Sequence, residues 1–173
     1  MARMPENRRR NGRNAEGGGL LDAVNLRLLD ELQTDARLSL AELGRRVGLS
    51  SPAVAERLAR LEQEGVILGY HAELNPRALG YTMCAIVRIS PVGGGLRLIP
   101  GIAREVPNVT ECFRITGEDC YFVKVWLHSI DDLEPILDLF TPHGRTTTSI
   151  VHSAPVPPRP LPVPGPGPAW PAH

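Results

Sequence analysis

Little in this chain of 173 residues announces its chemistry by abundance. The formal net charge is zero, so overall charge points to no polyanionic partner. Aromatic residues make up only 5% of the chain, against 42% hydrophobic residues in all, so a core must be built mainly from aliphatic side chains. The three cysteines, Cys84, Cys112 and Cys120, include no CxxC pair, which excludes the usual zinc and redox spacings and suits a reducing, cytoplasmic compartment. There is no run of about 18 apolar residues to span a membrane. The N-terminal arginines are followed by no apolar segment of the kind a signal peptide needs. A phosphate-binding loop, a nucleophile elbow and an HExxH helix are all missing, and Gly93-Gly94-Gly95 lacks the Lys-Ser/Thr that would follow in a phosphate loop. His71, His128, His143 and His152 are scattered, without the convergent spacing of metal ligands. No catalytic set, cofactor or metal is therefore expected.

What is present is order of a particular kind. From Ser39 to Gly65 the chain reads SLAELGRRVGLSSPAVAERLARLEQEG. Ser39 with Glu42 three residues on is a capping box, and Leu40, Leu43 and Val47 form an apolar stripe. Gly48 can take the left-handed conformation that stops a helix. Ser50-Ser51-Pro52 opens a second helix, with Val54, Leu58 and Leu61 inward and Gly65 at its end. Two short helices joined by a Gly-containing turn are a helix-turn-helix, whose second helix would enter a DNA major groove. A preceding helix, capped by Asp22 with Leu21 and Leu26 as a staple, would complete a three-helix core through Leu26, Leu29 and Leu32. Ile67, Tyr70 and Ala72 suggest a short extended piece, a wing, before the Asn75-Pro76 turn.

Residues 81–153 change character. A β-rich run from Tyr81 to Ile89 ends at Ser90-Pro91, and a helical stripe runs from Leu96 to Val106. Val109 to Thr116 alternates, with Val109, Glu111, Phe113 and Ile115 on one side. A Gly117-Glu118-Asp119 turn leads into Cys120 to His128, with Tyr121, Val123, Val125 and Leu127 on one face and Phe122, Lys124 and Trp126 on the other. A helix capped by Asp131 or Asp132 carries Leu133, Ile136, Leu137 and Phe140, and Arg145 to His152 is a last strand. This strand-helix-strand-strand-helix-strand order is the ferredoxin-like split βαβ arrangement. It leaves one sheet face to be covered, and a mixed polar and aromatic face suits a dimer.

The fold class expected is thus α+β: a winged three-helix helix-turn-helix domain at 20–65, a linker at 66–80 and a ferredoxin-like βαββαβ domain at 81–153. Residues 1–19 carry five arginines against Glu6 and Glu16 and read as a disordered basic tail. Residues 20–80, by contrast, have seven basic and nine acidic side chains, so DNA affinity there must come from a local face or from helix N-termini. Residues 154–173 hold nine of the 17 prolines. They read as an edge strand or polyproline arm running into a disordered tail.

LDAVNLRLLDELQTDAR followed by LSLAELGRRVGLSSPAVAERLARLEQEGVILGYHAELNPRALGY closely resembles the start of the Lrp/AsnC (leucine-responsive / asparagine-operon) regulators. ITGEDCYFVKVW and RTTTSIVHS resemble their ligand-sensing half. The resemblance covers roughly residues 20–160. It implies a homodimer, assembling further to tetramers or octamers, that binds double-stranded DNA and answers to a small molecule, usually an amino acid. On the residues, the DNA-facing set is Ser39, Ser50, Ser51, Pro52, Ala53, Glu56, Arg57 and Arg60. Hydroxyls and free helix amides suit phosphates, the arginines suit phosphates or guanine, and Glu56 suits cytosine or Arg60. The resemblance places the effector near Gly117, Glu118, Asp119 and Cys120, with Thr146, Thr147 and Thr148. Amides and threonine hydroxyls would hold a carboxylate there, and Asp119 an ammonium. Cys120 stands where many relatives have Asp. Two other readings stay open. One is a low-specificity architectural DNA binder. The other is a tetrapyrrole decarboxylase of the kind a few similar proteins have become, against which the intact cap, turn and arginine-bearing helix argue.

Overall fold

Each helix of the N-terminal unit begins at a polar residue in extended backbone. The computed structural model describes residues 19–164; the arginine-rich and distal proline-rich tails lie outside the described residues. α1 (Ala23–Thr34) is capped by Asp22, whose side chain accepts from the Asn25 amide at 2.8 Å. α2 (Leu40–Val47) is capped by Ser39, whose hydroxyl accepts from the Glu42 amide at 3.2 Å. It ends at Gly48, with φ of 78°, where a side chain would be strained. α3 (Ser51–Gln63) starts after Ser50, with Pro52 in its first turn.

The three helices enclose Leu28, Leu43, Val47, Val54, Leu58 and Leu61. Full burial of each leucine is worth about 1.5–3 kcal/mol, several times an exposed ion pair, so this cluster sets the stability of the unit. The tight approach of α2 to α3 depends on Gly44. A Cβ there would run into the Leu49 carbonyl oxygen, and the Gly44 carbonyl accepts from both the Gly48 and Leu49 amides.

Several expectations are corrected in this unit. The inward stripe of α1 centres on fully buried Leu28, with Val24, Leu29 and Leu32 packed around it. Leu21 is half-exposed, and Leu20 takes the inward place assigned to it. Leu40 is also exposed. The Ser39–Glu42 capping box is only half made, because the Glu42 carboxylate turns to Arg45 and Arg46 instead of the cap amide. Ser50 makes no side-chain cap bond. The wing strand is absent: Val66 and Ile67 both bond back to the Leu61 carbonyl, and residues 68–75 have no ladder partner, without which an extended segment is not a strand.

Two compact units divide the chain: one runs to His71 and takes in the described residues from Pro158 on, and the other is Ala72–Pro157. The C-terminal unit is built on β1 (Met83–Pro91), α4 (Ile99–Glu105), β2 (Val109–Arg114), β3 (Tyr121–Leu127), α5 (Leu133–Phe140) and β4 (Gly144–Ile150). The strands form one antiparallel sheet in the order β2-β3-β1-β4. Ile99 and Ala103 of α4 and Ile136 and Phe140 of α5 are buried against Ala85, Val87, Ile89, Tyr121, Val123, Val125 and Leu127. Both helices therefore cover one sheet face, as the strand periodicity of β3 requires.

Several features in this unit shift for local reasons. β1 runs on through Ser90 to Pro91, since a terminal position tolerates a residue with no amide to donate. The helix expected from Leu96 is a short 3-10 turn (Gly95–Arg97) before α4, which begins one residue ahead of Pro100. A bulge between Val109 and Glu111 breaks the alternation of β2. Val109 joins the helix-side core, while Glu111 pairs with Lys124 on the open face. Ser129, not Asp131 or Asp132, caps the turn leading into α5, in a capping box with Asp132. After Ile150 one further bond joins the Val151 amide to the Cys84 carbonyl, and residues 152–164 form no strand.

Candidate nucleic-acid interface and effector site

On α3, burial of Val54, Leu58 and Leu61 fixes which side faces out. Ser50, Pro52, Glu56, Ala59 and Arg60 are exposed, and Ser51 and Ala53 are half-buried beside them. The exposed strip therefore begins at the helix N-terminus, where backbone amides without intrahelical partners favour anions. The Ser50 hydroxyl is not engaged in capping. Among the described residues Glu56 and Arg60 form no ion pair, so the i,i+4 pairing considered from the sequence is not made.

Arg57 is used differently. Its Nη1 donates to Asp22 Oδ2 at 2.6 Å and to Asn25 Oδ1 at 3.0 Å. Asn25 is the one buried polar residue among those described, and its Nδ2 donates to the Leu20 carbonyl. Burial works to raise the Asp22 pKa, but the bonds from Arg57 and the Asn25 amide outweigh it and hold the carboxyl below its ordinary value. Arg57 thereby ties the start of α1 to the middle of α3.

On α2, Arg45 and Arg46 both bind Glu42, at 2.7 Å each, and Arg46 also binds Glu31 at 2.5 Å. Hydrogen bonds from Arg45 and then Arg46 bring the Glu42 carboxyl down to about 2. The cationic groups of α2 are thus neutralised locally, and Ser39 is occupied as a cap. Tyr70, past the end of α3, donates to Glu62 at 2.9 Å. Burial and then that bond push its phenol up to about 12.

In the C-terminal unit the turn after β2 carries Gly117, with φ of 116°, and exposed Glu118. Asp119 is held against β1: its Oδ1 accepts from Ser90 Oγ at 2.7 Å, and its Oδ2 lies 3.3 Å from Arg88. Cys120 packs toward the helix-side core, away from this patch. The two-residue period of β4 divides the three threonines. Thr147 stands opposite Arg88, on the open face, whereas Thr146 and Thr148 stand opposite Ile89 and Val87, which point to the helices. The sequence-predicted group therefore meets only in part, at Asp119 and Thr147. Arg88 and Ser90 were missed. The available signal was a lone cation inside an otherwise apolar central strand. The rest of the open face carries Phe113 near Phe122, with ring centroids 6.2 Å apart, and the Glu111–Lys124 pair at 2.8 Å.

A capped helix-turn-helix followed by a ferredoxin-like domain with a polar patch at its central turn defines a DNA-binding protein with a separate small-molecule domain. Residues 21–62 match the AsnC-type helix-turn-helix domain, and residues 84–161 match the Lrp/AsnC ligand binding domain. The chain belongs to the Lrp/AsnC family of transcriptional regulators. It is 33% identical over 133 residues to the regulator LrpC of Bacillus subtilis, covering 77% of this chain and 92% of that protein. Among solved structures it resembles a feast or famine regulatory protein of Mycobacterium tuberculosis complexed with L-methionine, with a TM-score of 0.77 at 33% identity, covering 83% of this chain and 99% of that one. It also resembles a Neisseria meningitidis transcriptional regulator in complex with L-methionine, with a TM-score of 0.73 at 27% identity, covering 80% and 94%.

Proposed function

We propose that this regulator binds operator DNA through the N-terminal half of α3 and answers to an amino acid at the Asp119–Arg88–Thr147 patch. The observation that carries the reading is the open, uncapped start of α3. Ser50, Ser51, Pro52 and Ala53 bring hydroxyls and helix amides to phosphates, while Glu56 and Arg60 reach base edges. Ser39 and Arg57 act indirectly, one by starting α2 and the other by fixing α3 against α1. The open sheet face, with Phe113, Phe122 and Ile86, pairs two copies. Their recognition helices then meet successive major grooves about 34 Å apart. Assembly of such pairs to tetramers or octamers follows the family pattern, and the protein works in the cytoplasm.

An amino acid is a zwitterion, and the patch offers both signs. Asp119 can take an ammonium, and Arg88 with the Ser90 and Thr147 hydroxyls a carboxylate. The L-methionine complexes of the two similar regulators support this class of effector.

Fluorescence anisotropy on DNA from upstream of the chain's own gene, against random DNA across a salt series, tests the first half. Preference for the upstream DNA by about 10³-fold or more is expected for a specific regulator. Equal, steeply salt-dependent binding to both would favour the architectural reading.

A further inference from the structure

The helix layer of the C-terminal unit, on the side of the sheet away from the open face, divides its charge by helix. On α4 the buried side is Ile99 and Ala103, and Arg97, Leu98, Arg104 and Glu105 are exposed on the other. On α5 the buried side is Ile136 and Phe140, and Glu134, Asp138 and Leu139 are exposed, with Asp131 exposed in the turn before. Arg114 adds to the basic half. It pairs with Tyr121 across the ladder and so lies on the helix side of β2. Glu105 is the acidic exception in that half. Among the described residues Arg97, Arg104, Glu134 and Asp138 form no ion pair.

Helix direction sorts these groups by sheet end. β1 and β3 are antiparallel, and each helix returns along the sheet from the end of its strand, so α4 and α5 run antiparallel. The Tyr121 hydroxyl donates to the Leu96 carbonyl at 2.6 Å, and the Val92 amide to the His143 carbonyl at 2.9 Å. Those bonds put the start of α4 and the end of α5 at the same sheet end. That end carries Arg97 and Leu98 on α4 with Asp138 and Leu139 on α5. The opposite end carries Arg104 with Glu134 and Asp131.

We propose that this helix layer is the docking surface for a second copy of the chain, with α4 of each copy lying across α5 of the other. Two rotations lay the surface on itself with the helices aligned. An axis across the helices stacks α4 on α4 and α5 on α5, like charge on like. An axis along the helices lays α4 on the other copy's α5 at matching ends. Arg97 then faces Asp138, Arg104 faces Glu134 and Leu98 faces Leu139, each contact made twice. Leu98 and Leu139 are 51% and 48% exposed, so this contact has apolar area to bury. The surface lies opposite the open sheet face, so it joins pairs formed there into larger assemblies. The inference rests on the pairing proposed above only for the size of the assembly.

The test is sedimentation velocity on the full-length chain and two charge-reversed variants, with circular dichroism to check the fold. Arg97→Glu with Arg104→Glu makes both halves of the layer acidic. Glu134→Lys with Asp138→Lys makes both halves basic. Each variant alone should fall to half the mass of the wild-type assembly or less. An equimolar mixture of the two should regain the wild-type mass, because acidic and basic layers are again complementary at both contacts. In the wild-type chain, salt at about 1 M should shift the mass toward the smaller species, as screening of exposed ion pairs requires. Phe113→Lys, on the open sheet face, tests the other association separately. If that face pairs nothing, this change leaves the mass unaltered while the charge-reversal pattern stands. A wild-type chain that stays monomeric overturns the inference. So do folded variants that assemble as the wild type does, or a mixture that regains nothing.

Discussion

α2 and α3 are built from nearly the same parts and use them in opposite ways. Each follows a serine, and each carries two arginines. On α2 the serine caps the helix and both arginines are bound to Glu42. On α3 the serine makes no cap bond, and Arg57 alone is paired, to Asp22. Composition therefore does not distinguish the two helices; hydrogen-bond occupancy does, and the proposed DNA contact through α3 rests on it. A polar group already satisfied within the domain has less to gain from a phosphate or a base, whereas an open one gains a full contact.

The strongest way to break this comparison is to disrupt the turn between the two helices. Gly44→Ala should cost about 3 kcal/mol, because the new methyl meets backbone that cannot give way. Urea denaturation followed by circular dichroism would show it, together with loss of DNA binding. Next, Arg60→Ala should weaken operator binding by about 2 kcal/mol, within the range of one base contact, with unchanged stability. Arg45→Ala, although it removes the more exposed arginine of α2, should change binding far less in the same anisotropy titration.

The Asp22–Arg57 tie sharpens the comparison through pH. The folded-state pKa of Asp22 is depressed, so its contribution is present above the ordinary value of 3.8 and lost as pH falls through the lower folded value. Asp22→Asn keeps a capping oxygen and removes the charge. It should cost about 1 kcal/mol at neutral pH and flatten acid sensitivity below pH 3.8 in melts of the helical unit. The smallest effect concerns the sensing side. Thr147→Val should raise the effector concentration needed to alter DNA binding by about 2- to 10-fold, the worth of one hydrogen bond. Thr148→Val, on the opposite sheet face, should leave it nearly unchanged.

The fold was largely legible in the sequence because its signals are local. Ser39, Gly48 and the Val54–Leu58–Leu61 stripe each act within one helix, and the alternation of β3 from Tyr121 to Leu127 needs no partner to be recognised. What was not legible depends on contacts distant in sequence. Arg57, expected on the DNA-facing side, is bound by Asp22 and Asn25, which lie more than 30 positions away. The bulge at Thr110 is a property of the β2–β3 pairing, and it reverses the side on which Glu111 and Phe113 fall relative to Val109. Arg88 and Ser90 come to Asp119 only once β1 is placed between β3 and β4, next to the turn that bears it.

The most direct measurement is a paired one: Ser39→Ala and Ser50→Ala, each tested for unfolding free energy and for operator affinity by anisotropy. Loss of the Ser39 cap should cost about 1 kcal/mol of stability and leave the affinity of the folded protein close to wild type. Ser50→Ala should leave stability unchanged and weaken binding across all DNA sequences, as a lost phosphate contact does. The reverse pattern, with Ser39 controlling affinity and Ser50 stability, would contradict the assignment of α3 as the helix whose open groups meet DNA.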